Sequence, residues 1–124
     1  MAAMSRQDTA ATALAALRTG IGVGAWVAPS PAARMFGLRV DGNTEAVLMA
    51  RLFAVRDVAL AYATLGTTGP ARRTVLHAGI ACDVLDAAAA LLAARRGGIP
   101  RGSAALVAAV ALAAAATGAV AARP

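Results

Sequence analysis

The chain has 124 residues, of which 60% are hydrophobic and only 15% are charged. Average soluble domains have about 45–50% apolar and about 25% charged residues, and disordered chains are less apolar still, so both classes are excluded and a membrane protein remains. All twelve cations are arginine and they outnumber six carboxylates, but aromatic residues make up only 3% of the chain. Because nucleic-acid-binding modules combine positive charge with stacking aromatic side chains, we expect no nucleic-acid partner.

Turn-forming residues divide the chain into four apolar stretches. The stretches cover residues of about 9–28, 44–66, 74–94 and 103–122. Each has about the 20 residues that a helix needs to cross ~30 Å of hydrocarbon, and no strand pattern is present. The sequence therefore predicts an all-α fold: a four-helix transmembrane bundle, formed by residues 1–124 as a single multi-pass domain of the cell membrane, with the lipid bilayer as its surroundings and both termini on one side.

Local signals place the ends of these helices. Asp8 and Asn43 precede two of the apolar stretches and can act as N-caps, while Pro29 ends the first helix and Gly97 follows the third. Arg18 interrupts the first stretch, which a secretion signal would need to be uninterrupted, so we expect a retained helix.

The longest connection separates the first two stretches and has two interpretations. It could lie at the membrane interface, with Met35, Phe36 and Leu38 in lipid and Arg34 and Arg39 at the headgroups. It could equally be an ordinary loop.

Charged residues inside the apolar stretches are the most informative feature of the sequence. They are Arg18, Arg51, Arg56, Asp57, Asp83 and Asp86. Each would cost about 2.5–3.5 kcal/mol at the centre of an isolated spanning helix, so they are tolerable only if they meet one another or water. A rise of ~1.5 Å per residue places all of them except Arg51 about 14–18 Å from the membrane face that holds the termini. We therefore predict that five of them form one network at the bilayer midplane, and that removing one aspartate strands a cation.

Helical spacing also brings small residues beside these charges. Asp83 and Asp86 share a stripe with two small residues on the third helix, and Asp57 lies on a small-residue stripe of the second. The first helix offers two small-residue faces for close packing. One consists of Gly20 and Gly24, and the other of Arg18, Gly22 and Ala25.

The network has two interpretations, which belong to different function classes. In the first, buried ion pairs only fix the order and register of alanine-rich helices, in a structural subunit that could pair with itself or with another membrane protein. In the second, the charges form a small-molecule or acid–base site for an apolar ligand, because ionisable groups inside membranes usually mark sites or pathways. The candidate catalytic residues are then Arg56, Asp57, Asp83 and Asp86, and the candidate ligand-binding residues are Arg18 and Arg51.

The second interpretation includes a reaction. An arginine between two aspartates can bind and protonate an oxygen while one carboxylate activates water, so hydrolysis or ring opening of an apolar epoxide is the chemistry to test first. Whether the protein is an enzyme stays open at this point.

No metal or other cofactor is expected. A single cysteine, Cys82, allows neither an internal disulfide nor a thiolate zinc site. The three buried aspartates already have arginine counter-charges, and His77 points about 180° away from Asp86. Trp26 and Tyr62 lie near opposite helix ends, where aromatic residues commonly anchor a protein in the membrane.

Two short runs carry a family resemblance. The second stretch contains Arg51-Leu52-Phe53-Ala54-Val55-Arg56-Asp57-Val58-Ala59-Leu60-Ala61, and the third contains Asp83-Val84-Leu85-Asp86. They resemble the R-x-F-G-x-R-D-x-x-x-G and D-x-x-D motifs of the small four-helix membrane proteins classified as domain of unknown function four-two-six-seven. Ala54 and Ala61 stand where that family has glycine, so both positions stay small. The resemblance implies a multi-pass membrane protein and no established activity.

Overall fold

The computed structural model describes residues 3–124, and within that range the chain forms α-helices and no strands. The five helices are α1 (Arg6–Val27), α2 (Pro29–Met35), α3 (Thr44–Gly66), α4 (Gly69–Arg95) and α5 (Arg101–Ala121). The prediction of an all-α fold is confirmed. The four long helices match the four apolar stretches, whereas α2 is an additional short helix in the connection that sequence reasoning treated as an interfacial segment or a loop.

Two helix starts differ from the predicted ones. Helix α1 begins at Arg6, and its N-cap is Ser5, whose Oγ accepts a hydrogen bond from the backbone N–H of Asp8 at 3.1 Å. Asp8 is therefore a residue of the first turn and not the cap. Helix α4 begins at Gly69, about one turn earlier than expected, because Pro70 lies in its first turn. A proline there breaks no hydrogen bond, since the first N–H groups of a helix have no intrahelical partner.

The other predicted ends are confirmed. Asn43 caps α3, because its side chain accepts from the N–H of Ala46 at 3.0 Å. Helix α1 stops at Val27, before Pro29, which opens α2. Gly97 follows the last residues of α4 with a φ of +72°, a conformation that favours glycine and lets the chain turn sharply.

Three of the long helices, α1, α4 and α5, are long and apolar enough to cross a membrane. Helix α3 has 23 residues, which is long enough. Every 18-residue segment of it, however, contains Arg51, Arg56 and Asp57, and this charge separates α3 from the other three.

The long helices pack mainly as two pairs, α1 with α3 and α4 with α5, and the pairs meet along α1–α5 and α3–α4. Neighbours run antiparallel: Gly22 of α1 lies beside Ala54 of α3, and Gly118 of α5 lies beside Ile80 of α4. A cluster of buried residues from α1, α4 and α5 shows that the start of α1, the start of α4 and the end of α5 lie together. It consists of Ala11, Leu14, Leu76, Ala114, Ala121 and Ala122.

Small residues fill the interior, and large apolar residues point outward. Of the residues that form the buried hydrophobic core, all except Leu14 and Leu76 are alanine. Large side chains on the outside include Tyr62, 80% exposed, and Leu85, 67% exposed. This distribution is the inverse of a water-soluble core, and it resembles the packing of membrane helices, which approach closely through small residues.

One of the two predicted glycine faces of α1 makes the close contact. A Cβ added to Gly22 would lie 2.7 Å from Cγ2 of Val58 and 2.9 Å from the carbonyl oxygen of Ala54. Gly20 and Gly24 have no such neighbours within 4 Å, so the prediction that they form a packing face is wrong. The other face, which contains Arg18, Gly22 and Ala25, is buried, and Gly22 packs against α3.

Candidate functional site

Three helices deliver charged side chains to the interior. Arg18 of α1, Asp57 of α3 and Asp83 of α4 are each only 4% exposed. Asp57 lies between Ala54 and Ala61 on the buried stripe of α3, as the spacing predicted. Small neighbours leave room for the charged groups, since alanine adds only one methyl group to the helix surface.

Arg18 joins two of these helices by its guanidinium group. Its Nη2 donates to Oδ2 of Asp83 at 2.7 Å, and its Nη1 donates to Oδ1 of Asp57 at 3.3 Å. The Nη2 atom also lies where α4 has no side chain, because a Cβ on Gly79 would be only 3.0 Å from it. Gly79 therefore makes the space that Arg18 occupies.

Arg56 links Asp57 of α3 to Asp86 of α4. Its two Nη atoms donate to the two carboxylate oxygens of Asp86 at 3.0 and 2.6 Å, a bidentate arrangement, and Nη2 also lies 3.2 Å from Oδ1 of Asp57. Its guanidinium carbon stands 4.6 Å from the centre of the Phe53 ring. The Nε atom is buried without a hydrogen-bond partner among the described residues.

The predicted network of five charges is thus present in the structure, and its members follow one another in the order Asp83, Arg18, Asp57, Arg56, Asp86. We call these five residues the ionic network. The side chains of Arg56 and Asp86 are 31% and 27% exposed, whereas Arg18, Asp57 and Asp83 are almost fully buried. The network is therefore closed at α1 and partly open between α3 and α4.

Two carboxylate oxygens in the buried part have no partner. Oδ2 of Asp57 and Oδ1 of Asp83 take no hydrogen bond from any residue between 3 and 124, although the opposite oxygen of each carboxylate binds Arg18. Both atoms remain accessible to water, so each can still accept a hydrogen-bond donor.

A cavity of about 420 Å³ lies against the ionic network. Four of the 23 lining residues are members of the network, and the other 19 are apolar. The charged ones are Arg18, Asp57, Asp83 and Asp86. The volume falls in the range of about 300–1,000 Å³ that is usual for small-molecule sites, and a mostly apolar wall with a few polar groups is the usual lining of such sites.

Helix α2 and the segment after it close one end of this cavity. Phe36, Leu38 and Val40 all line it and are half-buried, and the placement of Phe36 and Leu38 in lipid stays a prediction. Met35, in contrast, is 79% exposed. No periodic signal marks these three residues, because a turn at Gly37, with a φ of +70°, lies between Phe36 and Leu38.

Two contacts hold this closing segment in place. Gly37 ends α2 with a φ of +70°, and its carbonyl oxygen accepts a hydrogen bond from Oγ of Ser103, at the start of α5, at 3.0 Å. Nη2 of Arg34 donates to Oδ2 of Asp41 at 2.9 Å. Hydrogen bonds from Ser30 and Arg34 hold the pKa of the Asp41 carboxyl below its ordinary value, because both stabilise the charged form.

Arg51 is the one candidate site residue that the structure does not bring to the others. It lies beside the C-terminal end of α1, away from the ionic network. Its Nε donates to the carbonyl oxygen of Trp26 at 3.2 Å, and its guanidinium carbon is 5.9 Å from the Trp26 ring. It is exposed and does not line the cavity. Arg56 does not line the cavity either, but it positions Asp57 and Asp86, which do.

Metal-binding side chains are not grouped in the part of the chain from residue 3 onward, where no set of three or more His, Cys, Asp or Glu residues is arranged to hold an ion. His77 is exposed on α4, and Cys82 is partly buried. The chemistry of the site is therefore that of guanidinium and carboxylate groups beside an apolar cavity.

No family model matches this chain, and no curated protein or solved structure is significantly similar to it. The resemblance of the runs around Arg56 and Asp83 to the family of unknown function stays a prediction.

Proposed function

We propose that this protein is an integral protein of the cell membrane, that its four long helices form a transmembrane bundle, and that the bundle binds a small apolar molecule in the cavity beside the ionic network. The observation that carries the proposal is the cavity itself. It places four charged residues at one end of an otherwise apolar space. Such a site can take an apolar body and fix its orientation through a polar group.

The outward faces of the helices support the membrane part of the proposal. Between residues 78 and 92 of α4, and between 105 and 119 of α5, every exposed residue is alanine, valine or leucine. Exposure of these apolar faces to water is unfavourable, whereas the hydrocarbon of lipid solvates them. Helix α3 enters the same membrane because its charges, apart from Glu45 in its first turn and Arg51, lie on the ionic network and not on the lipid side.

Binding can be tested with a matched pair of variants in α5. The wild-type protein in phosphatidylcholine nanodiscs is titrated with radiolabelled n-decanol, and saturable binding above that of empty nanodiscs is measured. Val110→Phe fills the cavity that Val110 lines, so we expect it to weaken binding at least tenfold. Leu112→Phe changes an outward residue that is 51% exposed and does not line the cavity, so it should bind as the wild type does.

The alternative is a structural subunit in which the ion pairs only fix helix packing. Under that interpretation decanol shows no saturable binding to the wild type, or Val110→Phe and Leu112→Phe bind equally. Either result would remove the proposed site and leave the structural role.

Acid–base chemistry belongs to the same proposal. Asp57 and Asp83 line the cavity, and the free oxygen of either carboxylate can take a proton from a water molecule as that water adds to an epoxide carbon. The C–O bond of the ring breaks, and the ring oxygen takes the proton back from the carboxyl group to give a diol. The test is diol formation from 1,2-epoxydecane by the wild type and by Asp83→Asn. Equal rates for these two proteins and for empty nanodiscs would exclude the reaction and leave ligand binding alone.

A further inference from the structure

The charges of the ionic network do not cancel. It contains two guanidinium groups and three carboxylates, so with all five ionised it has one negative charge in excess. No other charged residue lines the cavity. Arg51 donates a hydrogen bond to the carbonyl oxygen of Trp26 and lies away from the cavity. An uncompensated charge in an apolar interior is costly, so a positive charge that enters the cavity would be stabilised there.

The position of the unpartnered oxygens agrees with this charge. Asp57 and Asp83 both line the cavity, and each keeps one carboxylate oxygen without a donor among the described residues. An ammonium group has three N–H donors and no acceptor, so it can supply both missing hydrogen bonds and the missing charge together. A carboxylate or phosphate would add repulsion to a group that is already negative.

We infer that the cavity selects an apolar molecule with a cationic amine at one end, and that this ammonium group binds between Asp57 and Asp83. The inference rests on the proposed function, since it names the chemical class of the cavity's ligand. The same ammonium chemistry could come from a free alkylamine or from the headgroup of an aminophospholipid, and the experiment separates these sources.

Three probes with the same ten-carbon chain isolate the head group: n-decylamine, n-decanol and decanoate. Their saturable binding is measured on the wild type in phosphatidylcholine nanodiscs, with empty nanodiscs subtracted. We expect decylamine to bind at least tenfold more tightly than decanol, and decanoate to bind most weakly. Repeating the decylamine titration in nanodiscs that contain phosphatidylethanolamine shows the source: a lower apparent affinity means that the lipid amine occupies the site, and an unchanged affinity assigns it to a free amine.

Variants at the carboxylates test the contact itself. Asp83→Asn keeps the shape and removes the charge excess, so the preference for decylamine over decanol should fall to within about twofold while decanol binding is retained. Asp57→Asn provides the same test through the other carboxylate, and Asp83→Glu should keep the preference.

Four results would overturn the inference or its basis, and those that spare the proposed function are distinguishable from the one that does not. Equal affinities of the wild type for all three probes, or a preference for decanoate, overturn the selection of a cation but leave the apolar binding site. An amine preference that survives in both Asp83→Asn and Asp57→Asn also overturns it, because the ammonium group then binds elsewhere. If no probe binds saturably, the proposed function fails as well.

Discussion

Nη2 of Arg18 lies 2.7 Å from Oδ2 of Asp83, although 65 residues separate the two in the chain and, within the described residues, no Cα atom of α1 comes within 8 Å of one of α4. The long arginine side chain reaches from α1 to α4, where Gly79 leaves space for its guanidinium group. This one ion pair therefore connects the α1–α3 pair to the α4–α5 pair through the interior.

The contacts of Arg18 reverse the expectation that removing an aspartate strands a cation. Each arginine of the ionic network contacts two carboxylates, so Asp83→Asn leaves Arg18 bound to Asp57 and leaves equal numbers of the two charges. Arg18→Met, in contrast, leaves two buried carboxylates without their shared donor. We expect Arg18→Met to lower the free energy of unfolding by about 3–5 kcal/mol and Asp83→Asn to lower it by much less.

Reversible unfolding in bicelles measures this asymmetry. Arg39→Met is the control, because Arg39 is exposed and should change the free energy of unfolding by no more than about 0.5 kcal/mol. Equal losses for Arg18→Met and Asp83→Asn would contradict the arrangement of contacts described above.

A second prediction compares two glycines of α1. Gly22→Ala places a Cβ 2.7 Å from Val58 and 2.9 Å from the backbone of Ala54, so α1 and α3 must separate. We expect this overpacking to lower the free energy of unfolding by about 1–3 kcal/mol. Gly20→Ala has no neighbour within 4 Å and should be neutral or stabilise the helix by up to about 1 kcal/mol. Thermal unfolding of both variants in the same lipid decides it, and a costlier Gly20→Ala would show that the other glycine face is the packed one.

A third prediction concerns the surroundings of α4. Leu85 points outward near the middle of this helix and is 67% exposed. In a membrane, Leu85→Arg should oppose insertion of α4 by about 2.5–3.5 kcal/mol, whereas His77→Arg, nearer the end of the same helix, should cost far less. The measurement is the fraction of protein that stays in the membrane pellet after an alkaline wash. Recovery of the wild type as a monomer in a detergent-free supernatant would contradict membrane insertion.

A fourth prediction uses the pH dependence of Asp41. Its pKa is lower in the folded protein than the ordinary value of 3.8, so the stabilisation from its contacts is complete above pH ~4 and is lost as the pH falls through the lowered pKa. Ser30→Ala and Arg34→Ala should each raise the Asp41 pKa towards 3.8, and Arg39→Ala should raise it less, because its charge acts only at a distance. A ¹³C NMR titration of the Asp41 carboxyl tests this order. An unchanged pKa in Arg34→Ala would show that the ion pair does not form.

The sequence was sufficient to predict the four long helices and the network, because both follow from regular spacing, whereas the short helix α2 was not predicted. Arg18, Asp57 and Asp83 could be placed at one depth from helical rise alone, and the structure brings them together. Which carboxylate each arginine would bind could not be predicted, because it depends on the order in which the helices pack. Arg51 was included among the site residues for its charge, and only the structure shows it bound at Trp26.

The cavity was beyond sequence reasoning for a different reason. One end of it is lined by a segment whose residues Phe36 and Leu38 are apolar, and an apolar side chain can face lipid or protein equally well. In the structure this segment is held by the hydrogen bond between Ser103 and Gly37, which joins residues 66 positions apart. Contacts over such separations leave no periodic pattern in the chain.

The alanine-filled interior has a consequence for how this protein can diverge. In a membrane, lipid would solvate any apolar side chain at outward positions such as Leu85 and Leu112, so leucine, isoleucine, valine and phenylalanine would be interchangeable there. At Gly22, Ala54 and Gly79, neighbouring atoms leave no room for a larger side chain. Selection should therefore retain the smallest residues and let the largest vary, which is the reverse of the pattern in a water-soluble domain.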